Sequence, residues 1–266
     1  MSQDILVVKI GGGAGLDLAQ TCADLAEVAR QRPVVIVHGV SAMMADLAAE
    51  RGLTERMLTS PSGHRSRYTD APTRDLFVQA SGRVAEQIGG YMGAGGVQIA
   101  HLADCITGTR KRAIRAVVDG RVRVIRDDYS GSIQSVNTAP ILGALAAGQV
   151  PVISPMALDM ADGLLNIDGD RAAAAVASAL GASMLVILSN VRGLYRQFPD
   201  ESSFVSRIAP EQIERAMDWA QGRMKRKVLG AQEALAGGVR QVVVSDGRIH
   251  HPVTAALSGA GTVFAP

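Results

Sequence analysis

Residues 5–15 read Ile-Leu-Val-Val-Lys-Ile-Gly-Gly-Gly-Ala-Gly, and this stretch constrains the fold most. The apolar run 5–10 predicts a buried strand. It is broken by one cation, Lys9, and passes straight into Gly11, Gly12 and Gly13. A lysine inside a buried strand is costly unless an anion meets it. Consecutive glycines let the backbone approach a ligand and point N–H groups at it. The amphipathic stretch 16–30 then predicts a helix whose N-terminus, with its partial positive charge, lies at the same spot. Strand lysine, glycine turn and helix start make a candidate anion site, with phosphate the best-fitting anion. A tight strand-to-helix turn with Lys9 snorkelling at the strand end is the plainer alternative. The stretch is not a G-x-x-x-x-G-K-[ST] loop, and Leu16 stands where the third glycine of G-x-G-x-x-G would be.

The same theme recurs along the chain. Residues 34–37 predict a second strand, which ends in His38-Gly39-Val40-Ser41 before another helical pattern. Strand, turn, helix and strand in this order predict a mainly parallel sheet covered on both faces. Ligands of such sheets sit at the carboxyl ends of the strands, so the Gly11–Gly13 and Gly39–Ser41 turns should share one crevice. His38 is a possible ligand or base, but filling a strand end is the commoner use of such a residue. Residues 53–69 read as a polar, irregular loop, and Asp70 as the cap of a helix with Pro72 in its first turn. A helix is expected over 132–147, then a strand at 150–154. A turn at Asp162-Gly163 follows, and an alanine-rich helix runs from 171 to 180. Asn166, Asp168 and Asp170 cluster at that helix start. They read either as a cap or, for Asp170, as a group that positions a cation such as Lys9. Residues 184–188 and 239–245 predict further strands, and 261–264 an edge strand. Tyr195 and Phe198 could flank a flat ring or pack.

Composition narrows the class. The 266 residues suffice for one large or two modest domains. Apolar residues make up 47% without a run long enough to span a membrane, and the start lacks a signal-peptide pattern. Cys22 and Cys105 have neither disulfide-framework nor metal-ligand spacing, which fits a reducing cytoplasm. A net charge of +2 and 3% aromatic residues argue against a nucleic-acid platform.

Two basic stretches stand out. Residues 110–126 carry Arg110, Lys111, Arg112, Arg115, Arg121, Arg123 and Arg126 against Asp119 alone. Residues 114–126 predict a β-hairpin turning at Asp119-Gly120, with Arg115, Arg121 and Arg123 expected on one face. A run so one-sided in a near-neutral chain favours an acidic partner or an anionic ligand, with a solvated hairpin the alternative. The second stretch, Lys225-Arg226-Lys227, opens a helix, where cations are unfavourable unless an anion is near. At helical spacing one of the three is expected to face the crevice.

Six stretches, in order along nearly the whole chain, resemble the amino acid kinase family. They are Val8-Lys-Ile-Gly-Gly12, Val37-His-Gly39, Ser66-Arg-Tyr-Thr-Asp70, Asn166-Ile-Asp-Gly-Asp170, Leu188-Ser-Asn-Val-Arg-Gly193 and Gly222-Arg-Met-Lys-Arg-Lys227. Within the family the chain is similar to N-acetylglutamate kinases. It is closer to the carrier-linked branch, the LysW-aminoadipate kinases, through Lys111-Arg-Ala-Ile, Asp128-Tyr-Ser-Gly131, Phe198-Pro-Asp-Glu201 and Met224-Lys-Arg-Lys227.

The resemblance implies a three-layer αβα sandwich. Residues 1–175 would form an acyl-acceptor lobe and residues 176–266 a nucleotide lobe, on one continuous sheet. It implies ATP with Mg²⁺ as phosphoryl donor and no dedicated metal ligands in the protein. Lys9 and Lys227 would flank the transferring phosphoryl group, Gly11 and Gly12 would give it N–H groups, and Asp170 would hold the lysines. Gly39, Val40, Ser41, Arg67 and Asn166 would hold the acceptor. Ser189, Asn190, Val191, Gly193, Leu194, Tyr195 and Met224 would contact the nucleotide. The acceptor expected is 2-aminoadipate, or glutamate, carried on the acidic protein LysW in lysine biosynthesis. Lys111, Arg112, Arg115, Arg121 and Arg123 would dock that carrier. The chain departs from the family at Val40, where a second glycine is usual. A β-branched residue is poorly suited to φ > 0, and its side chain would narrow the acceptor site. The chain starts just before its first strand, without the helix that builds hexamers in arginine-inhibited relatives, so a homodimer is expected. The competing expectations are a free N-acetylglutamate kinase of arginine biosynthesis and a non-catalytic nucleotide-binding protein of the same fold.

Overall fold

The computed structural model describes residues 4–61, 63 and 65–265. The start of the chain, on which the dimer expectation rested, lies outside these residues, as do Ser62 and His64 of the expected loop.

The chain begins with β1 (Leu6–Ile10), α1 (Leu18–Ala29), β2 (Val34–His38) and α2 (Ser41–Glu50). A short hairpin, β3 (Met57–Thr59) and β4 (Arg65–Arg67), precedes the long α3 (Ala71–Ala94). Next come β5 (Ile99–Leu102), β6 (Ile106–Arg110), the hairpin β7 (Ile114–Val118) and β8 (Arg121–Ile125), β9 (Gly131–Val136) and α4 (Thr138–Ala146). β10 (Val150–Ile153), β11 (Met156–Asp159) and β12 (Gly163–Asn166) lead into α5 (Gly169–Ala179). β13 (Met184–Ser189), β14 (Leu194–Tyr195), β15 (Phe204–Val205), β16 (Arg207–Ile208), α6 (Ile213–Trp219) and α7 (Met224–Ala236) follow. β17 (Gln241–Asp246), α8 (Pro252–Leu257) and β18 (Thr262–Phe264) complete the fold.

Eight strands form the central sheet in the order β16-β18-β17-β13-β1-β2-β10-β5. All neighbours are parallel except β17 and β18. Side chains alternate between the faces of β1, as a buried strand requires. Leu6, Val8 and Ile10 join the core beneath α1, α2, α3 and α8. Ile5 and Val7 join the core on the other face, beneath α4, α5, α6 and α7. The result is the expected three-layer sandwich. By the same alternation Lys9 points toward α5 and α7. The chain runs from β1 out through β2 to one side and returns as β13 and β17 on the other, so β1 lies at the switch point where crevices form.

Several local expectations need correction. Residues 131–136 form strand β9, antiparallel to β6, and the helix starts only after Asn137, whose side chain accepts from the Ala139 N–H at 3.2 Å. The β-branched Ile133 and Val136 face the core there, which favours the strand. The polar segment 53–69 contains the paired strands β3 and β4, each too short to show an apolar alternation. Residues 261–264 supply β18, which is second from the edge because β16 pairs outside it. The hairpin β7–β8 forms with its turn at Asp119-Gly120, but its register separates the arginines. Arg115 lies opposite Val124, whereas Ala116 and Val118 lie opposite Arg123 and Arg121. Arg115 is therefore on one face, and Arg121 and Arg123 on the other.

Candidate active site

At the C-terminal end of β1 the Lys9 ammonium lies 2.9 Å from Asp170 Oδ1. The Lys227 ammonium lies 3.1 Å from Asp170 Oδ2. All three residues are buried: Lys9 is 7%, Asp170 6% and Lys227 8% exposed. Two cations thus share one carboxylate, and the cluster holds one net positive charge out of water. Such a charge is stable only beside further negative charge or when an anion binds. Burial alone would raise the Asp170 carboxyl, but the ammonium groups of Lys9 and Lys227 outweigh it and hold it below the usual carboxylate range. Burial, with help from Lys9, lowers Lys227 against the pull of Asp170.

The cluster follows from local sequence. Asp168 caps α5, its Oδ1 accepting from the N–H groups of Asp170 at 3.0 Å and Arg171 at 3.1 Å. Asp170 falls in the first turn, where a carboxylate meets the positive end of the helix. The alanine-rich face of α5 lets α7 come close. A Cβ on Gly230 of α7 would lie 3.2 Å from the Asp170 carbonyl, so glycine there permits the approach that brings Lys227 in.

The second part of the site is a meeting of two turns. A Cβ on Gly12 would lie 2.3 Å from the Gly39 carbonyl carbon and the Val40 nitrogen. A Cβ on Gly39 would lie 2.5 Å from the Gly12 nitrogen. Neither position has room for a side chain, because the obstacle is backbone. The Ala42 N–H donates to the Gly12 carbonyl at 2.6 Å, which ties the turn after β1 to the start of α2. Val40 sits at φ −131°, not in the left-handed region, and its side chain is 5% exposed within the core under α2. The expected backbone conflict therefore does not arise, and the isopropyl group is spent on packing. His38 is also buried in the core, with Nε2 3.1 Å from Ser154 Oγ, and burial lowers its pKa to about 3. This neutral imidazole fills the strand end.

The other expected acceptor residues lie on the neighbouring elements. Asn166 ends β12 and donates to Thr69 Oγ1 at 2.9 Å. Arg67 ends β4, and its guanidinium pairs with Glu55. Lys111 stands apart from the other hairpin cations. Its ammonium lies in the field of Arg171, Asp128, Arg226 and Asp168, and desolvation leads the lowering of its pKa. Arg112 pairs with Asp162 at 3.3 Å.

The turn after β13 is anchored rather than loose. Leu194 donates to Thr262 Oγ1 at 2.8 Å, and Ser189 accepts from Gly247 at 2.7 Å through its carbonyl. Tyr195 is buried, with its ring edge-on to Phe198 and Phe204 at 5.7 and 5.5 Å. Its hydroxyl donates to Glu201. Tyr195 thus packs within the turn it belongs to. Asn190 is exposed and Val191 and Met224 are partly buried. A cavity of about 350 Å³ opens beside the turn, lined by Arg192, Phe204, Ser245, Asp246 and Gly261 among others.

Sequence reasoning missed one pairing. Arg226 Nη1 lies 2.9 Å from Asp168 Oδ2, and its Nη2 donates to the Arg65 carbonyl at the start of β4. Of the three cations opening α7, two point inward and Lys225 is exposed, where one inward cation was expected. The available signal was two acids at one helix start, 168 and 170, and two adjacent cations, 226 and 227, at another.

The sequence model described as the Amino acid kinase family matches residues 4–246. The chain belongs to the amino acid kinase family. It is 41% identical over 266 residues to a LysW-aminoadipate kinase of Deinococcus radiodurans, covering 98% of this chain and 91% of that one. It is 40% identical over 267 residues to the LysW-aminoadipate kinase of Thermus thermophilus, covering 97% and 99%. Among solved structures, N-acetylglutamate synthase from Neisseria gonorrhoeae superposes with a TM-score of 0.80 at 25% identity, over 99% of this chain. The chain spans about three fifths (59%) of that synthase. Carbamate kinase from Giardia lamblia, at 17% identity and a TM-score of 0.66, shares the fold over 100% of this chain and 99% of its own. The chain is a kinase of the amino acid kinase fold, and membership of the family implies use of ATP.

Proposed function

We propose that the protein transfers the γ-phosphoryl group of ATP to the side-chain carboxylate of 2-aminoadipate, or glutamate, carried on an acidic LysW-like protein. The product is an acyl phosphate, and the step belongs to lysine biosynthesis by the aminoadipate route. The observation that carries this reading is the buried Lys9–Asp170–Lys227 cluster beside the touching Gly12 and Gly39 turns. Its relatives at 40–41% identity bear the name of that activity.

Phosphoryl transfer asks the protein for position and charge neutralisation rather than covalent chemistry. An ionised carboxylate is already a nucleophile and needs no general base. Lys9 and Lys227, on two sides of Asp170, would neutralise charge that spreads over the transferring group. Gly11 and Gly12 would add N–H donors. Asp170, held by both ammoniums, would keep them apart and aimed. A pocket that offers two lysines suits a triphosphate that brings its own Mg²⁺. Ser189, Asn190, Val191, Gly193, Leu194, Tyr195 and Met224 would border the nucleotide. Gly39, Val40, Ser41 and Asn166 would line the acceptor site, Val40 through its backbone. Arg67 would take the acceptor's carboxylate in exchange for Glu55. Lys111, in the electrostatic field of Asp168, would meet the carried group, and Arg112, Arg115, Arg121 and Arg123 the carrier's body. Residues 1–175 would form the acceptor lobe, residues 176–266 the nucleotide lobe, and two copies a homodimer.

The test is acyl-phosphate formation trapped with hydroxylamine on three acceptors in parallel: carrier-linked aminoadipate, carrier-linked glutamate and free N-acetyl-L-glutamate. Turnover on the carried acceptors, falling as salt is raised, is expected. Turnover on the free acceptor alone would overturn the reading.

A further inference from the structure

The hairpin β7–β8 is a two-stranded sheet, and among the described residues no third strand is hydrogen-bonded to it. One face rests on the acceptor side of the molecule. Ala116, fully buried, packs with Leu58 of β3 and with Tyr68 just after β4, and Ile114, Val118 and Ile125 close around them. Tyr68 also donates through its hydroxyl to Asp127, which follows β8. The hairpin is thus fixed to the segment that carries Arg67.

The other face breaks the usual rule. A sheet face turned to water should be polar. Register and alternation place Arg115, Val117, Val122 and Val124 there. The three valines are 39%, 48% and 52% exposed. One exposed valine needs no explanation, but three on one face of one hairpin form a patch that wants a cover. The chain around them is basic. Arg110 and Arg112 pair with Asp162. Arg115, Arg121 and Arg123 are exposed and have no ion pair among the described residues.

We infer that the outer face of β7–β8 is the seat of an acidic protein partner, with Val117, Val122 and Val124 at the centre of the contact, Arg115 beside them on the same face, and Arg121 and Arg123, which alternate to the opposite face of the edge strand β8, bordering it. An apolar centre inside a charged rim is the usual anatomy of a protein interface. Charge selects the occupant. A second copy of this chain placed face to face would bring two basic hairpins together, and like charges would oppose it. A nucleic acid would gain nothing from the valines. An acidic carrier satisfies both parts, and the attachment of the hairpin to Leu58 and Tyr68 puts such a partner beside the acceptor segment. This assignment rests on the carrier-linked reading of the acceptor. It divides the labour: the arginines steer the encounter, and the valines hold the complex once formed.

The test compares wild-type protein with V117S/V122S/V124S and with R121E/R123E, using the acidic carrier loaded with aminoadipate. Steady-state kinetics and calorimetric binding are measured at two salt concentrations. The serine variant is expected to raise KM and Kd at least tenfold with kcat changed less than twofold and the salt dependence retained. The glutamate variant is expected to raise KM and flatten the salt dependence. Should the serine variant melt early, V122T/V124T keeps β-branching and is expected to raise KM at least threefold. An unchanged KM in a folded valine variant overturns the docking face. So does a shift in sedimentation of the free chain without a change in KM, which would make the face a self-contact. Failure of the parent reading is separate, because wild-type protein itself would then not turn over the loaded carrier.

Discussion

Arg226 of α7 reaches Asp168 at the N-cap of α5, 2.9 Å away, one and two residues along from Lys227 and Asp170, which form the neighbouring pair at 3.1 Å. Two successive cations of one helix are matched to two acids at the start of another. The outer pair also reaches the Arg65 carbonyl, so α7, α5 and the β3–β4 hairpin meet at one guanidinium. Only a planar fork with several donors serves both acceptors. R226K is therefore expected to behave more like R226M than like wild type, with a raised KM for acceptor and a kcat reduced several-fold. In a double-mutant cycle R226M and D168N should couple by about 1 kcal/mol, because they remove one shared contact. Additive effects would show that the contact does not act as a unit.

Asp170 is the counter-charge for two buried ammoniums. D170N leaves both cations without it, and breaking a buried ion pair from one side costs roughly 3–5 kcal/mol. Urea unfolding should register a loss of that order, with acyl-phosphate formation falling at least a hundredfold. The carboxyl is held below its ordinary range, so its contribution to stability is present above about pH 4 and is lost on acidification below it. The asparagine variant should lack that limb of the pH profile.

His38 behaves in the opposite chemical sense but with the same sign. Its folded pKa is about 3 against an ordinary 6.5. Between these values the unfolded chain binds a proton that the fold refuses, so stability falls as pH drops through 6.5 toward 3. At pH 5 this amounts to roughly 2 kcal/mol relative to pH 7.5. H38Q should shrink that pH-dependent loss, read as the difference in urea midpoint at the two pH values.

Two glycine substitutions should differ in sign. G12A puts a methyl group 2.3 Å from backbone atoms of Gly39 and Val40, which cannot move aside without parting the two turns. A loss of more than about 1–3 kcal/mol and of most activity is expected. Gly90 lies exposed inside α3 with no atom within 4 Å of an added Cβ. G90A should stabilise by about 0.5–1 kcal/mol through helix propensity alone, seen as a raised Tm with unchanged kcat.

The strand–glycine–helix opening and the alternation of apolar runs were enough to specify a mainly parallel sheet covered on both faces, and the lone Lys9 marked the end of β1 as the place to expect an anion. These signals are local: periodicity reports burial, and a cation in an apolar run reports a buried counter-charge. The short, polar strands β3 and β4 and the strand β9, expected as helix, were not legible, because pairing with a distant strand outweighs propensity in such segments. Tertiary structure alone decided that Lys9, Asp170 and Lys227, far apart in the chain, share one carboxylate. It decided that Val40 packs inward at negative φ, and that Arg226 spans two elements. It also split the hairpin arginines between two faces and left the valines outside. A side-chain period of two fixes which residues alternate within a strand, but only the register between strands settles which of them face the same way.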